Sequence, residues 1–196
     1  MNYGCRKCRR EGEKLLLKGD RCFSPKCSIT RRSYAPGQHG ISMSKKMSEY
    51  GRQLREKQRL KKIYGISEVQ LSRCFKKAEK SQQNSTERLI SLLELRLDNV
   101  IYRARMADSR SQAKQLISHG KVLVNDKKAS IPSIVLAPKD KITFNKKITT
   151  EKLSSQNIVW FKCDPKSGLI EIKSVPSRAE IDLNVNENLV VEFYSR

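Results

Sequence analysis

Acidic residues are scarce in this chain: 20 Asp and Glu stand against 41 Lys and Arg in 196 residues, a formal net charge of +21. Such a surplus opposes compaction by self-repulsion unless a polyanion neutralises it. Nucleic acid is therefore the leading partner, ahead of an anionic membrane surface or a merely solvated basic exterior. Histidine is almost missing, with only His39 and His119. No acid, base and nucleophile gather in a motif, so the chain is not read as an enzyme. No apolar run approaches the ~20 residues that cross a bilayer, and the opening MNYGCRKCRREGEK lacks the apolar centre of a signal peptide. Neither a membrane partner nor export is expected. There is one tryptophan, Trp160, expected in a core. No repeat of 20–50 residues, no extended low-complexity tract and no dimer-forming segment stands out, so no homo-oligomer is expected.

The charge that is present is unevenly placed. Residues 1–62 hold 18 basic and 5 acidic side chains, whereas residues 145–196 are nearly balanced. The N-terminal third is the electrostatic anchor. Within it, RRSYAPGQHGISMSKK (31–46) contains Pro36, Gly37 and Gly40, which oppose regular helix and favour an exposed turn. Arg31, Arg32, Gln38 and His39 could there meet phosphate or ribose, the alternative being a flexible linker. From about Ser48 the pattern is helical. Met47, Tyr50, Leu54, Leu60 and Ile63 form an imperfect apolar stripe, and Arg52, Arg55, Lys57, Arg59, Lys61 and Lys62 occupy the remainder. This is a helix with one face on protein and one on RNA, or else a solvated basic face.

Six cysteines are present, and four form C-x2-C-x13-C-x4-C: Cys5, Cys8, Cys22 and Cys27. Two close pairs separated by a loop suit one structural zinc ion held by four thiolates, with no open position for a catalytic water. Four unrelated thiols, or a redox pair at Cys5 and Cys8, are the alternatives. Nearby Arg6, Lys7, Arg9, Arg10, Arg21 and Lys26 are expected to lower the thiol pKa values. Residues 1–40 have few large apolar side chains, so a metal would supply what a core does not. Cys74 and Cys163 read as small buried hydrophobes.

Further along, Ser67 with Gln70, and Asn84 with Glu87, carry helix-opening signals. The second of these predicts one long helix contributing Leu89, Leu92, Leu93, Leu97, Val100 and Ile101 to a core. The segment Ser109 to Lys128 reads as a unit: a cap at Ser109 with Gln112, an apolar stripe of Ala113, Leu116 and Ile117, and a left-handed stop at Gly120. A short strand with Val122 and Val124 follows, then a turn bearing Lys127 and Lys128. Arg110, Lys114, Gln115 and Lys121 are left to face a partner. Beyond it the pattern turns extended, with strands expected at 134–136, 141–144, 157–162 and 169–175, and turns at 138–140 and 165–168. The fold class is α+β.

The words Leu97-Asp98-Asn99-Val100-Ile101-Tyr102-Arg103, Ser109-Arg110, His119-Gly120 and Val124-Asn125 closely resemble the RNA-binding module named after small-subunit ribosomal protein four. The paired cysteines, Cys22 to Cys27, Pro36-Gly37-Gln38-His39-Gly40, Leu54 to Gln58, Ile63 to Ile66 and Glu192 to Arg196 extend the resemblance to the bacterial family of that protein over the whole chain. The resemblance implies an N-terminal zinc-binding basic extension (1–42), a helical domain (43–92) completed by the tail (178–196), and an α/β domain (93–177) holding the module (about 94–155). It implies a ribosomal constituent, in the cytoplasm or an organelle, that grips the 5′ domain of small-subunit ribosomal RNA early in assembly. Proteins five and three would be neighbours near the messenger entry path, and the chain's own messenger a second RNA ligand. By position, Cys5, Cys8, Cys22 and Cys27 would hold zinc. Arg9, Arg10, Lys26, Arg31, Arg32, Gln38 and His39 would contact RNA from the extension, and Arg52, Arg55, Lys57, Arg59, Lys61 and Lys62 from the first helix. Arg103, Ser109, Arg110, Gln112, Lys114, Gln115, His119, Lys121, Asn125, Lys127 and Lys128 would do so from the module. The family's Gly-Phe before the module is Arg105-Met106 here.

Overall fold

Side-chain caps open four helices. Ser48 Oγ accepts from the Gly51 amide, Ser67 and Gln70 complete a reciprocal capping box, Asn84 Oδ1 accepts from the Thr86 amide, and Ser109 Oγ accepts from the Gln112 amide. Each satisfies a backbone donor that the first helical turn leaves unpaired. The computed structural model describes residues 3–42, 46–81, 84–145, 158–164 and 168–195. Its helices and small antiparallel sheet are of α+β class. The chain divides into two compact units, Met1–Phe75 with Asn184–Arg196, and Lys76–Leu183.

The first unit holds α1 (Tyr3–Glu11), a 3-10 turn (Gly19–Cys22), α2 (Ser28–Arg31), α3 (Glu49–Tyr64) and α8 (Glu187–Tyr194), and the long α4 (Glu68–Glu79) begins in it. The buried line of α3 is Gln53, Lys57, Leu60 and Tyr64, one face of a helix. Of the apolar stripe expected there, Met47 and Tyr50 are instead half exposed, at 50% and 51%. The buried face of α3 packs along α8, which brings polar partners to it and sets Phe193 5.7 Å from the Tyr50 ring. Glu192 Oε2 accepts from Gln53 Nε2 at 3.1 Å, and the Lys57 ammonium sits 4.1 Å from the Phe193 ring centre.

The second unit builds its core from α5 (Ser85–Glu94), α6 (Leu97–Arg103), α7 (Arg110–Ser118) and an antiparallel sheet in the order β2-β1-β3-β5-β4. The strands are β1 (Val122–Val124), β2 (Lys127–Ala129), β3 (Lys141–Phe144), β4 (Phe161–Asp164) and β5 (Leu169–Ile172). Leu97, Val100, Ile101, Ala113, Ile117, Val122, Ile142, Ile170 and Ile172 meet around Trp160, which stands edge-on to Phe161.

The long helix expected from Asn84 through Ile101 is broken. Arg96 is extended, the Leu97 amide donates to the Ile134 carbonyl at 2.8 Å, and the Leu136 amide donates to the Leu95 carbonyl at 2.9 Å. The strand expected at 134–136 is thus one isolated bridge, Arg96 to Val135. Asn125 and Asp126 both have positive φ, 49° and 63°, the geometry of a tight hairpin turn. Lys127 and Lys128, expected in that turn, lie on β2. β4 starts later than expected and β5 ends earlier. Asn157, residues 165–167 and the module's last expected residues, 146–155, lie outside the described residues.

Arg105 follows α6 with φ 60°, a left-handed conformation that favours glycine. The Met106 amide donates to the Ile101 carbonyl at 3.1 Å, closing the helix around it, and Met106 is buried. Replacing Arg105 by Gly relieves the side chain's clash but frees the unfolded chain. A net gain of about 0.5–1 kcal/mol is expected, measured by urea denaturation; a loss of stability would refute the strained geometry.

Candidate nucleic-acid interface

On the module, Ser109 caps α7 as the spacing requires, but the Gln112 side chain accepts from the Asp108 amide rather than closing the box on Ser109. The cations expected to point outward are tied from behind. Arg103 places Nε and Nη2 on the two oxygens of buried Glu94 at 3.0 and 2.8 Å. Arg110 Nε donates to Asn99 Oδ1 at 2.8 Å, and its guanidinium lies 4.3 Å from the Tyr102 ring centre. Lys114 Nζ is 3.5 Å from buried Asp98. Burial pulls the Lys114 ammonium below the usual lysine range, against the attraction of Asp98. Gln115, His119, Lys121, Lys127 and Lys128 are exposed.

Gly120 ends α7 at φ 65°, with the Lys121 amide donating to the Leu116 carbonyl. A Cβ there would run into the Lys128 side chain, which therefore crosses the helix end closely. A cation in that place is favoured by the helix dipole. Asn125, a candidate RNA contact, has both ends of its amide engaged internally: Nδ2 donates to Asp140 and Oδ1 accepts from the Lys141 amide.

In the extension, Arg9 Nε donates to the Tyr34 carbonyl at 3.0 Å and its guanidinium stacks 4.8 Å from the Tyr34 ring centre. A Cβ on Gly40 would strike the Ala35 carbonyl, so the 35–40 turn is tightly closed rather than an open linker. Gln38 and His39 are exposed on it, Arg31 and Arg32 are exposed just before it, and Arg10 and Lys26 are exposed further upstream.

Sequence reasoning missed what holds the cations of α3. Arg55 pairs with Glu11 at 3.2 Å, Lys62 pairs with Glu11, and Arg59 pairs with Glu13 and Glu56. Lys57 is buried and pairs with Glu68 at 2.6 Å, where Lys61 also reaches at 3.0 Å. Arg52 is exposed and is the one member of this set without an ion pair among the described residues. The expected two-faced helix is mainly a protein–protein staple inside its own unit.

The thiols Cys8, Cys22 and Cys27 are buried and Cys5 is half-buried, all free of disulfides. The Lys18 amide donates to Cys22 Sγ at 3.4 Å. Burial raises the Cys8 thiol, partly offset by the Leu15 amide, with the charges of Cys22, Cys5 and Cys27 adding to the rise. Burial opposes the lowering of Cys27, which is carried by the amides of Ile29 and Thr30, the Thr30 hydroxyl and Lys14. The lowering expected from neighbouring arginines does not account for either thiol. The Cys8, Cys22 and Cys27 sulfurs each accept an amide hydrogen, as metal-binding thiolates do. No three His, Cys, Asp or Glu side chains stand in a metal-holding arrangement among the described residues.

Residues 3–94 match the ribosomal protein S4/S9 N-terminal domain, and residues 95–142 match the S4 domain. Small ribosomal subunit protein uS4 of Clostridium tetani is 49% identical over 199 residues, covering 98% of this chain and 96% of that protein. The proteins of the same name from Dictyoglomus thermophilum and Aromatoleum aromaticum are 49% and 44% identical over 201 residues, with the same coverage. The chain belongs to the uS4 family.

The family is one of ribosomal proteins, not enzymes. In this uS4-family chain the S4 domain spans α6, α7 and β1–β3, up to Ile142 in β3. The N-terminal match takes in Cys5, Cys8, Cys22 and Cys27 and α1–α5. No described helix is long and apolar enough to cross a membrane.

One consequence of the α3 staple is a pH dependence. Burial alone would raise the Glu68 carboxyl, but hydrogen bonds from Lys57, Lys61 and Tyr194 outweigh it and hold the pKa at about 2. A depressed folded pKa contributes stability that is present above the unfolded value, near 4.5, and lost as pH falls towards 2. The side chain is 42% exposed, so solvent screening reduces the contribution to about 1 kcal/mol. Between pH 4.5 and pH 2, Glu68→Gln should lose less stability than the parent in denaturant titrations. Identical slopes would dismiss the coupling.

Proposed function

We propose that this chain is a constituent of the small ribosomal subunit that binds small-subunit ribosomal RNA and nucleates its 5′ domain. It lies near the messenger entry path and contributes there to decoding accuracy. Ribosomal proteins five and three are its neighbours, and its own messenger is a second RNA ligand. It works in a cytoplasmic or organellar ribosome. The observation that carries this reading is the S4-domain match at residues 95–142, falling on the α6–α7–hairpin surface. That surface exposes Gln115, His119, Lys121, Lys127 and Lys128. Lysine and arginine release counterions from phosphate, and shape with 2′-hydroxyl contacts selects a folded junction. Cys5, Cys8, Cys22 and Cys27 hold one structural zinc ion, which would organise a segment poor in apolar residues. No chemistry is performed on the RNA.

The decisive measurement is binding to the folded 5′ domain across a salt series, with duplex DNA as competitor. Preference for the folded RNA that survives at high salt is expected. Equal binding to both, collapsing together with salt, would reduce the chain to a generic polycation.

A further inference from the structure

Within the second unit, the segment Glu94 to Asn99 places two carboxylates in the interior, Glu94 at 0% and Asp98 at 1% exposure, directly behind three cations of the module surface. Glu94 receives Arg103 through both oxygens and the Asn99 amide at 2.7 Å. Asn99 passes the arrangement on, since its Oδ1 accepts from Arg110 at 2.8 Å while the Tyr102 ring backs the same guanidinium. Asp98 is held by Arg96 at 3.1 and 2.9 Å and faces Lys114. The Arg103 and Lys114 side chains remain 21% and 28% exposed.

A buried acid beneath a polyanion-binding surface weakens the long-range attraction for phosphate. Its counterweight is order: a guanidinium clamped at two points loses little freedom when a phosphate docks on its outer edge. We propose that Glu94 is a positioning residue for RNA binding, presetting Arg103 directly and Arg110 through Asn99 for a folded RNA phosphate backbone. This rests on the RNA-binding reading above and adds the origin of its selectivity. An unstructured RNA adapts to cations in any arrangement and gains little from the presetting, whereas a folded junction offers phosphates at fixed places.

The test uses the full chain, the folded 5′-domain RNA and an oligouridine of unstructured character, at matched salt. Glu94→Gln keeps the shape and removes the charge; Arg103→Lys keeps the charge and removes the two-point clamp. Trp160 fluorescence reports that the unit is folded. Both variants should bind the folded RNA about tenfold more weakly and the oligouridine within about twofold of the parent. Tighter binding of both RNAs by Glu94→Gln would show a mere background acid and overturn the proposal. So would unchanged binding of the folded RNA by folded Arg103→Lys. A parent chain with no preference for folded RNA over duplex DNA would instead sink the functional reading itself, and the inference with it.

Discussion

Asp98→Ala is expected to destabilise the second unit by about 3–5 kcal/mol, a large fraction of a small domain's total. Asp98 and Arg96 are 1% and 3% exposed, and the guanidinium donates to both carboxylate oxygens. Removing the acid leaves a charged group in the interior with neither water nor a carboxylate partner, and that loss dominates over the missing attraction. The pair also sits at the break between α5 and α6, where Arg96 is extended against Val135, so its loss loosens the joint that fixes both helices. Replacing both partners by apolar residues, Arg96→Met with Asp98→Leu, should recover much of the lost stability. The sole tryptophan lies in this unit's core, so its fluorescence in a urea titration reads the transition directly. A midpoint shift for Asp98→Ala worth under ~1 kcal/mol would refute the buried-charge account.

On the zinc reading proposed above, chelation is expected to unfold the N-terminal segment while leaving the Trp160 transition in place. The segment's buried apolar content is small: Leu15 and the thiols Cys8, Cys22 and Cys27 supply it. Metal binding to four thiolates contributes on the order of 10 kcal/mol in such settings, enough to decide between order and disorder. The same loss should reach α3, because Glu11 and Glu13 hold Arg55, Lys62 and Arg59 from the cysteine segment. Hydrogen exchange provides the readout: faster exchange of backbone amides across α1 and α2, with the second unit unaffected. Full protection after chelation would end the structural-metal reading.

Legibility followed distance along the chain. Ser67, Asn84 and Ser109 announce helix starts because a cap and its amide lie within three residues. Gly120 announces a stop because its left-handed backbone is a local property. The basic surplus and the ordered family words likewise need no coordinates to point at RNA. What stayed hidden depends on partners brought together by folding. Lys57 looks like a surface cation until Phe193 and Tyr194 arrive on α8, with Gln53 meeting Glu192 across 139 positions. The helix from Asn84 looks continuous until the 134–136 backbone offers Leu95 and Leu97 better hydrogen bonds than a further turn. That the Asn125 side chain is tied to Asp140 and the Lys141 amide is likewise invisible along the chain. By itself the sequence determined the caps, the stops, the fold class and the partner's charge, since these follow from neighbouring residues and from composition. Only the tertiary structure decided which cations are buried, stapled or exposed, because a charge in a folded chain answers to whichever acid, ring or solvent the packing sets beside it.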